Sequence, residues 1–287
     1  MPLVPRGRHA VTWEALRSLV NRRAAQLRAP LPAGAGCCTV CRGPAGPGYG
    51  RCYQCGRHKE AAGGMLADAV IPVCYAIRDT RHATDLWLYK SRAPGAAAAR
   101  ARLQALLLVF LRDHGRCAWR RAGMGAPTHL AVVPSGRGRP GRHPLEQLLS
   151  PYLALPWVTL AVRPGAEPPG RGLGAARFLV AGAVGGGGVL VVDDTWVSGA
   201  SAQSAAVALK AAGARHVAVV VLGRHVNPAD PRVHPFARSL EGSPFDPGTC
   251  AVHEALPTRH LNGANQDILC FRDKNKYQFT VRSARGK

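Results

Sequence analysis

The chain has 287 residues, 47% of them hydrophobic, and a formal net charge of +22 from 38 Lys and Arg against 16 Asp and Glu. That apolar content excludes global disorder and suits one good-sized domain with an accessory element, or two small domains. No apolar run approaches the ~20 residues of a membrane-spanning helix, and the basic N-terminus lacks the apolar centre of a secretory signal, so a cytoplasmic protein is expected.

The charge favours polyanions or phosphorylated ligands, single- or double-stranded DNA among them. The basic residues are scattered rather than clustered, and aromatic residues make up only 6%, which weighs against a base-stacking platform.

In chain order, residues 11–28 place Val11, Trp13, Leu16, Leu19, Val20 and Leu27 at near-helical spacing between arginines. This predicts an amphipathic helix that, with a linker to residue 36, forms an N-terminal segment 1–36. Residues 37–60 hold Cys38-x2-Cys41 and Cys52-x2-Cys55. Two such pairs, joined by a glycine-rich stretch, let four thiolates converge on one zinc ion. With no position left for water, the site is structural. Gly56 is expected to give the second pair its left-handed turn, and Cys37 can replace Cys38 only in a looser register. Cys74, Cys117, Cys250 and Cys270 read as small buried hydrophobes. The spacing of "CAVH" (250–253) is metal-like but offers only two ligands.

Residues 65–225 alternate strand and helix. Apolar segments at 69–77, 129–133, 157–162, 189–192 and 217–222 read as strands, several of them continuous runs suited to a sheet covered on both faces. Helices are expected at about 96–113, 144–153 and 200–212. The pattern predicts an α/β fold with a mostly parallel sheet flanked by helices. The Pro- and Gly-rich residues 163–174 form a long surface loop positioned to act as a lid. Residues 226–287 read as an irregular extension ending in a basic tail.

The chemistry concentrates at "VLVVDDTWVSGAS" (189–201). A strand ending in Asp193 and Asp194 enters a loop of Thr195, Trp196, Val197, Ser198, Gly199, Ala200 and Ser201, and a helix follows. A loop entering a helix N-terminus presents backbone N–H groups that cradle phosphate. The adjacent carboxylates accept from sugar hydroxyls or hold Mg²⁺. A second loop, "VVPSGRGRPGR" (132–142), presents Ser135, Arg137, Arg139 and Arg142 to a polyanion. Lys90, Arg92, Arg171 and Arg177 are weaker candidates, and His143 suggests a supporting role.

The 189–201 stretch resembles the ribose-phosphate motif of the type I phosphoribosyltransferases, in which four apolar and two acidic residues precede a loop ending Thr-Gly-x-Thr. Ser198-Gly199-Ala200-Ser201 stands at that ending. With the four-cysteine segment, residues 85–111 and residues 132–149, the chain looks like the ComF branch of that superfamily over roughly 37–224. The resemblance implies a type I phosphoribosyltransferase-like fold with an N-terminal zinc ribbon. It also implies phosphoribosyl pyrophosphate bound with Mg²⁺, Asp193 and Asp194 in catalysis, and a part in DNA uptake or processing. Two departures stand out: Arg142-His143-Pro144-Leu145 replaces Arg-Gly-Phe-Asn, and the loop at 163–177 is shorter and richer in glycine. No glutaminase half is present, so a complete glutamine amidotransferase is not expected.

Overall fold

The computed structural model describes residues 12–34, 36–135, 142–166, 170–182 and 184–252. Helix α1 (Trp13–Asn21) starts on Thr12, whose side chain accepts the Ala15 N–H, and it is shorter than the expected 11–28. Helix α2 (Tyr53–Ala62) precedes strand β1 (Ala69–Ile77), then come α3 (Arg81–Leu88), α4 (Ala96–Arg121) and β2 (His129–Val132). The chain continues through α5 (Pro144–Leu149), β3 (Thr159–Val162), β4 (Phe178–Ala181), β5 (Gly188–Trp196), α6 (Ala200–Ala211), β6 (His216–Val226) and α7 (His234–Ser239).

Four strands form a parallel sheet in the order β1-β6-β5-β2. The α/β expectation therefore holds. Central β5 and β6 are nearly continuous runs of buried Val and Leu because helices cover both their faces. Pro72 is tolerated in β1 because that strand is an edge and pairs only with β6.

One face packs against α1, α3, α4 and α5, with Leu190 and Val192 of β5 in that core. The opposite face packs against α6, the β3–β4 pair and the cysteine segment, with Val189 and Val191 pointing there. Cys38, Cys41 and Cys55 belong to this second core, so the segment is docked on the sheet rather than tethered beside it.

Residues 157–162 do not form one sheet strand. Trp157 makes a parallel bridge to Leu130, after which Thr159–Val162 turns into an antiparallel pair with β4, an element the sequence reading missed. The long helix α4 runs to Arg121, past the expected end at 113, while α5 stops at Leu149. Residues 226–252 are also more integral than expected. Phe236, Leu240 and Phe245 are buried, and Arg28 bridges Pro244. The expected basic tail, with Cys270, lies outside the described residues.

Candidate functional site

The chain leaves β2 towards Trp157 on one side of the sheet, whereas β5 continues through α6 to β6 on the other. Their carboxyl ends therefore flank a topological switch point, where open parallel sheets bind ligands. Val132 is paired with Val192, so the chain after β2, with Ser135, departs beside Asp193. Arg137 and Arg139 lie outside the described residues.

Strand β5 does not end at Val192 as expected but continues through Trp196. Asp193 and Asp194 are therefore strand residues and project to opposite faces. Asp194 is buried on the α3 side. Its Oδ2 accepts from the Tyr89 hydroxyl at 2.6 Å and pairs with the Lys90 ammonium. The cation and hydroxyl that such a strand end requires come from the C-terminal end of α3. Lys90 was a weaker candidate in the sequence, and Tyr89 was missed.

The Asp193 carboxylate accepts the Asp194 N–H at 2.9 Å. Burial, then the neighbouring Asp194, push its pKa up to about 8. A carboxyl held above its ordinary ~3.9 contributes most when protonated, so the wild type loses stability as pH rises from about 4 to about 8. Asp193→Asn is accordingly expected to melt with the wild type near pH 4 and several degrees above it at pH 8. Thermal melts across that range check this, and a difference independent of pH overturns it.

The loop from β5 to α6 is only Val197–Gly199. Gly199 caps α6 with φ 82°, and Ser198 Oγ accepts the Ala200 N–H at 3.3 Å. Trp196 does not face a ligand. It is fully buried under this loop, and a Cβ on Gly199 would stand 2.0 Å from its Cζ2. Val197 is exposed.

A cavity of about 600 Å³ brings Ser201 and Ser204 of α6 together with Arg163, Arg177 and the glycine-rich backbone of 170–176. The loop is held there by the Gly174 N–H on Ser204 Oγ (3.0 Å) and by the Arg171 carbonyl on His58 Nε2 of α2 (3.2 Å). Asp193, Asp194, Ser135 and Arg142 do not line this cavity. Arg142 is turned to Glu146, one helical turn along α5 (2.9 Å), and His143 caps that helix by accepting the Leu145 N–H.

The four-cysteine group assembles as its spacing predicts. Ligand atoms of Cys38, Cys41, Cys52 and Cys55 all lie within 4.8 Å of one another, and the group can hold a structural zinc ion. Cys37 instead turns its sulfur to the Leu31 carbonyl. The left-handed residue is Arg42 (φ 56°), after the first pair, whereas Gly56 is an ordinary helical residue inside α2. The surroundings suit a metal. Four thiolates on a divalent ion carry two net negative charges, and buried Arg224 lies against Gly43 with its guanidinium donating to the Trp196 and His225 carbonyls. Burial works against the Arg224 charge, but the thiolates of Cys41, Cys52 and Cys55 outweigh it and raise its pKa.

No protein-family model matches the chain, and no curated protein matches it. Among the described residues, no helix is long and apolar enough to cross a membrane.

Proposed function

We propose that the protein binds phosphoribosyl pyrophosphate with Mg²⁺ and transfers the phosphoribosyl group to an acceptor, with Cys38, Cys41, Cys52 and Cys55 holding a structural zinc ion. The observation that carries this reading is the acidic end of β5, which passes through a three-residue loop into the N-terminus of α6 at the switch point of the sheet. The 5-phosphate is assigned to the N–H groups and hydroxyls of Ser198–Ser201, and the ribose hydroxyls to Asp193.

The donor set fits Mg²⁺ through one carboxylate rather than two. Lys90 already neutralises Asp194, whereas Asp193 is a carboxyl that a cation would bring into its charged form. Mg²⁺ is commonly held by one or two carboxylates plus substrate phosphates, and it would screen the pyrophosphate charge. The acceptor forms a bond to the anomeric carbon as the bond to pyrophosphate oxygen breaks, and the electron pair leaves with pyrophosphate. Lys90, beside Asp194, keeps the strand end from repelling that anion.

Calorimetric titration of phosphoribosyl pyrophosphate with Mg²⁺ tests the reading. The wild type is expected to bind, with at least tenfold loss both in Asp193→Asn/Asp194→Asn and in Ser198→Ala/Ser201→Ala, each checked for native circular dichroism. Wild-type silence, or binding untouched in both folded variants, overturns it.

A second reading has its own support. Tyr49 and Tyr53 are 72% and 71% exposed beside the cysteine group, with the Arg57 guanidinium 5.8 Å from the Tyr53 ring centre and donating to its hydroxyl, and with exposed Arg51 between them in sequence. Exposed rings among arginines suit single-stranded nucleic acid. Indifference to phosphoribosyl pyrophosphate, combined with oligonucleotide binding that falls steeply with salt, favours a DNA-handling role.

A further inference from the structure

Three further metal-ligating side chains meet on the α4 side of the molecule. His114 and Cys117, three residues apart on α4, share one helix face. Cys250 reaches them from the segment that follows α7, and the three ligand atoms lie within 4.8 Å of one another. In a tetrahedral zinc site, ordinary Zn–S and Zn–N bonds separate neighbouring ligand atoms by about 3.5–3.8 Å, so small side-chain adjustments close this group on an ion.

The histidine is prepared for the task. Its Nε2 lies 2.9 Å from the Pro247 carbonyl oxygen. A carbonyl only accepts, so Nε2 carries a proton, and in the neutral imidazole that a metal ion selects the lone pair is on Nδ1, which is buried. An imidazole that donates its second N–H to a backbone carbonyl is the usual arrangement around a metal-bound histidine, because it fixes the ring and its tautomer. Here the orienting carbonyl lies three residues before Cys250, so one segment supplies both a ligand and its neighbour's orientation.

We propose that His114, Cys117 and Cys250 form a second zinc site, distinct from the four-cysteine group. Its role is to staple residues 247–252 to α4. Two thiolates and a neutral imidazole leave the bound ion without net charge, so this site needs no buried cation such as Arg224 supplies to the other. The fourth position falls to water or to a further side chain. The staple also reaches the first site: Arg42, which follows Cys41, donates from Nη2 to the Ala251 carbonyl at 2.9 Å.

Zinc content of the full chain, purified under reduction without chelator, tests the proposal. Two zinc ions per chain are expected, falling by one in Cys117→Ser/Cys250→Ser with the four-cysteine site untouched. Zinc X-ray absorption of the wild type needs no variant: nitrogen is expected in the coordination shell, whereas the four-cysteine group alone gives sulfur only. An all-sulfur shell, equal zinc in wild type and double variant, or a Cys117–Cys250 disulfide in the freshly isolated protein overturns the proposal.

Discussion

Asp85→Asn is expected to lower the thermal midpoint by roughly 10 °C, the counterpart of ~3–5 kcal/mol for breaking a buried charge network in a chain of this size. Asp85 lies in α3 and is 1% exposed. Its carboxylate receives Arg102 of α4 at 2.7 Å and Arg23, just after α1, at 2.9 Å. Burial alone would raise its pKa, but the bonds from Arg102 and Arg23 outweigh burial and hold it below the usual carboxylate value. The asparagine keeps the shape but leaves two largely buried guanidinium groups without their counter-charge. Because the folded pKa is depressed, this stabilisation is present above about pH 4 and is lost as pH falls through the lower folded value. The gap between wild type and variant should therefore narrow in strong acid. Arg81→Ala serves as the contrast. Its guanidinium is exposed, 3.5 Å from the same carboxylate, and its loss should cost about 1 kcal/mol or less. Melts in which Asp85→Asn and Arg81→Ala behave alike would show that the network does not bind α1, α3 and α4 together.

Gly199→Ala is expected to cost ~2–5 kcal/mol, most of it from Trp196 rather than from any ligand. The φ of 82° places an alanine in the left-handed region, worth ~1–2 kcal/mol. The new methyl would also overlap the Trp196 ring at 2.0 Å, and overpacking of that kind adds ~1–3 kcal/mol. In a Trp196→Leu background, only the backbone cost should remain. Denaturant unfolding of the four proteins of this cycle measures the coupling. Equal costs of Gly199→Ala in both backgrounds would mean that the tryptophan does not dictate the glycine. The cycle bears on the candidate site because it separates two demands on one residue: close approach of a phosphate to the backbone, and the ring beneath it.

These two residues illustrate what was legible in advance. The sequence places Gly199 in a phosphate loop, and it places Trp196 in that same loop, although the ring packs beneath Gly199. Strand periodicity could not reveal that β5 runs on through polar Asp193, Asp194 and Thr195. Their polarity reads locally as a strand end, whereas pairing to β6 at Asp193–Val221, Thr195–Gly223 and Trp196–Arg224 keeps them extended. Asp85 carries no signal of its role in the sequence, because an acid in a basic helix looks like surface until Arg23 and Arg102 arrive from other elements.

By itself the sequence determined the parts governed by local spacing. Continuous Val and Leu runs alternating with helices imply a parallel sheet covered on both faces, and the paired CxxC segments bring four sulfurs together. The chain from a strand into α6 was legible for the same reason. Only the tertiary structure decided the partners: Tyr89 and Lys90 on Asp194, Arg224 beneath the cysteine group, the left-handed turn at Arg42 rather than Gly56, and the meeting of His114 and Cys117 with Cys250. Each joins residues far apart in the chain or trades one backbone geometry for another. Such choices are settled by which buried charges, rings and lone pairs must be satisfied once the elements have packed.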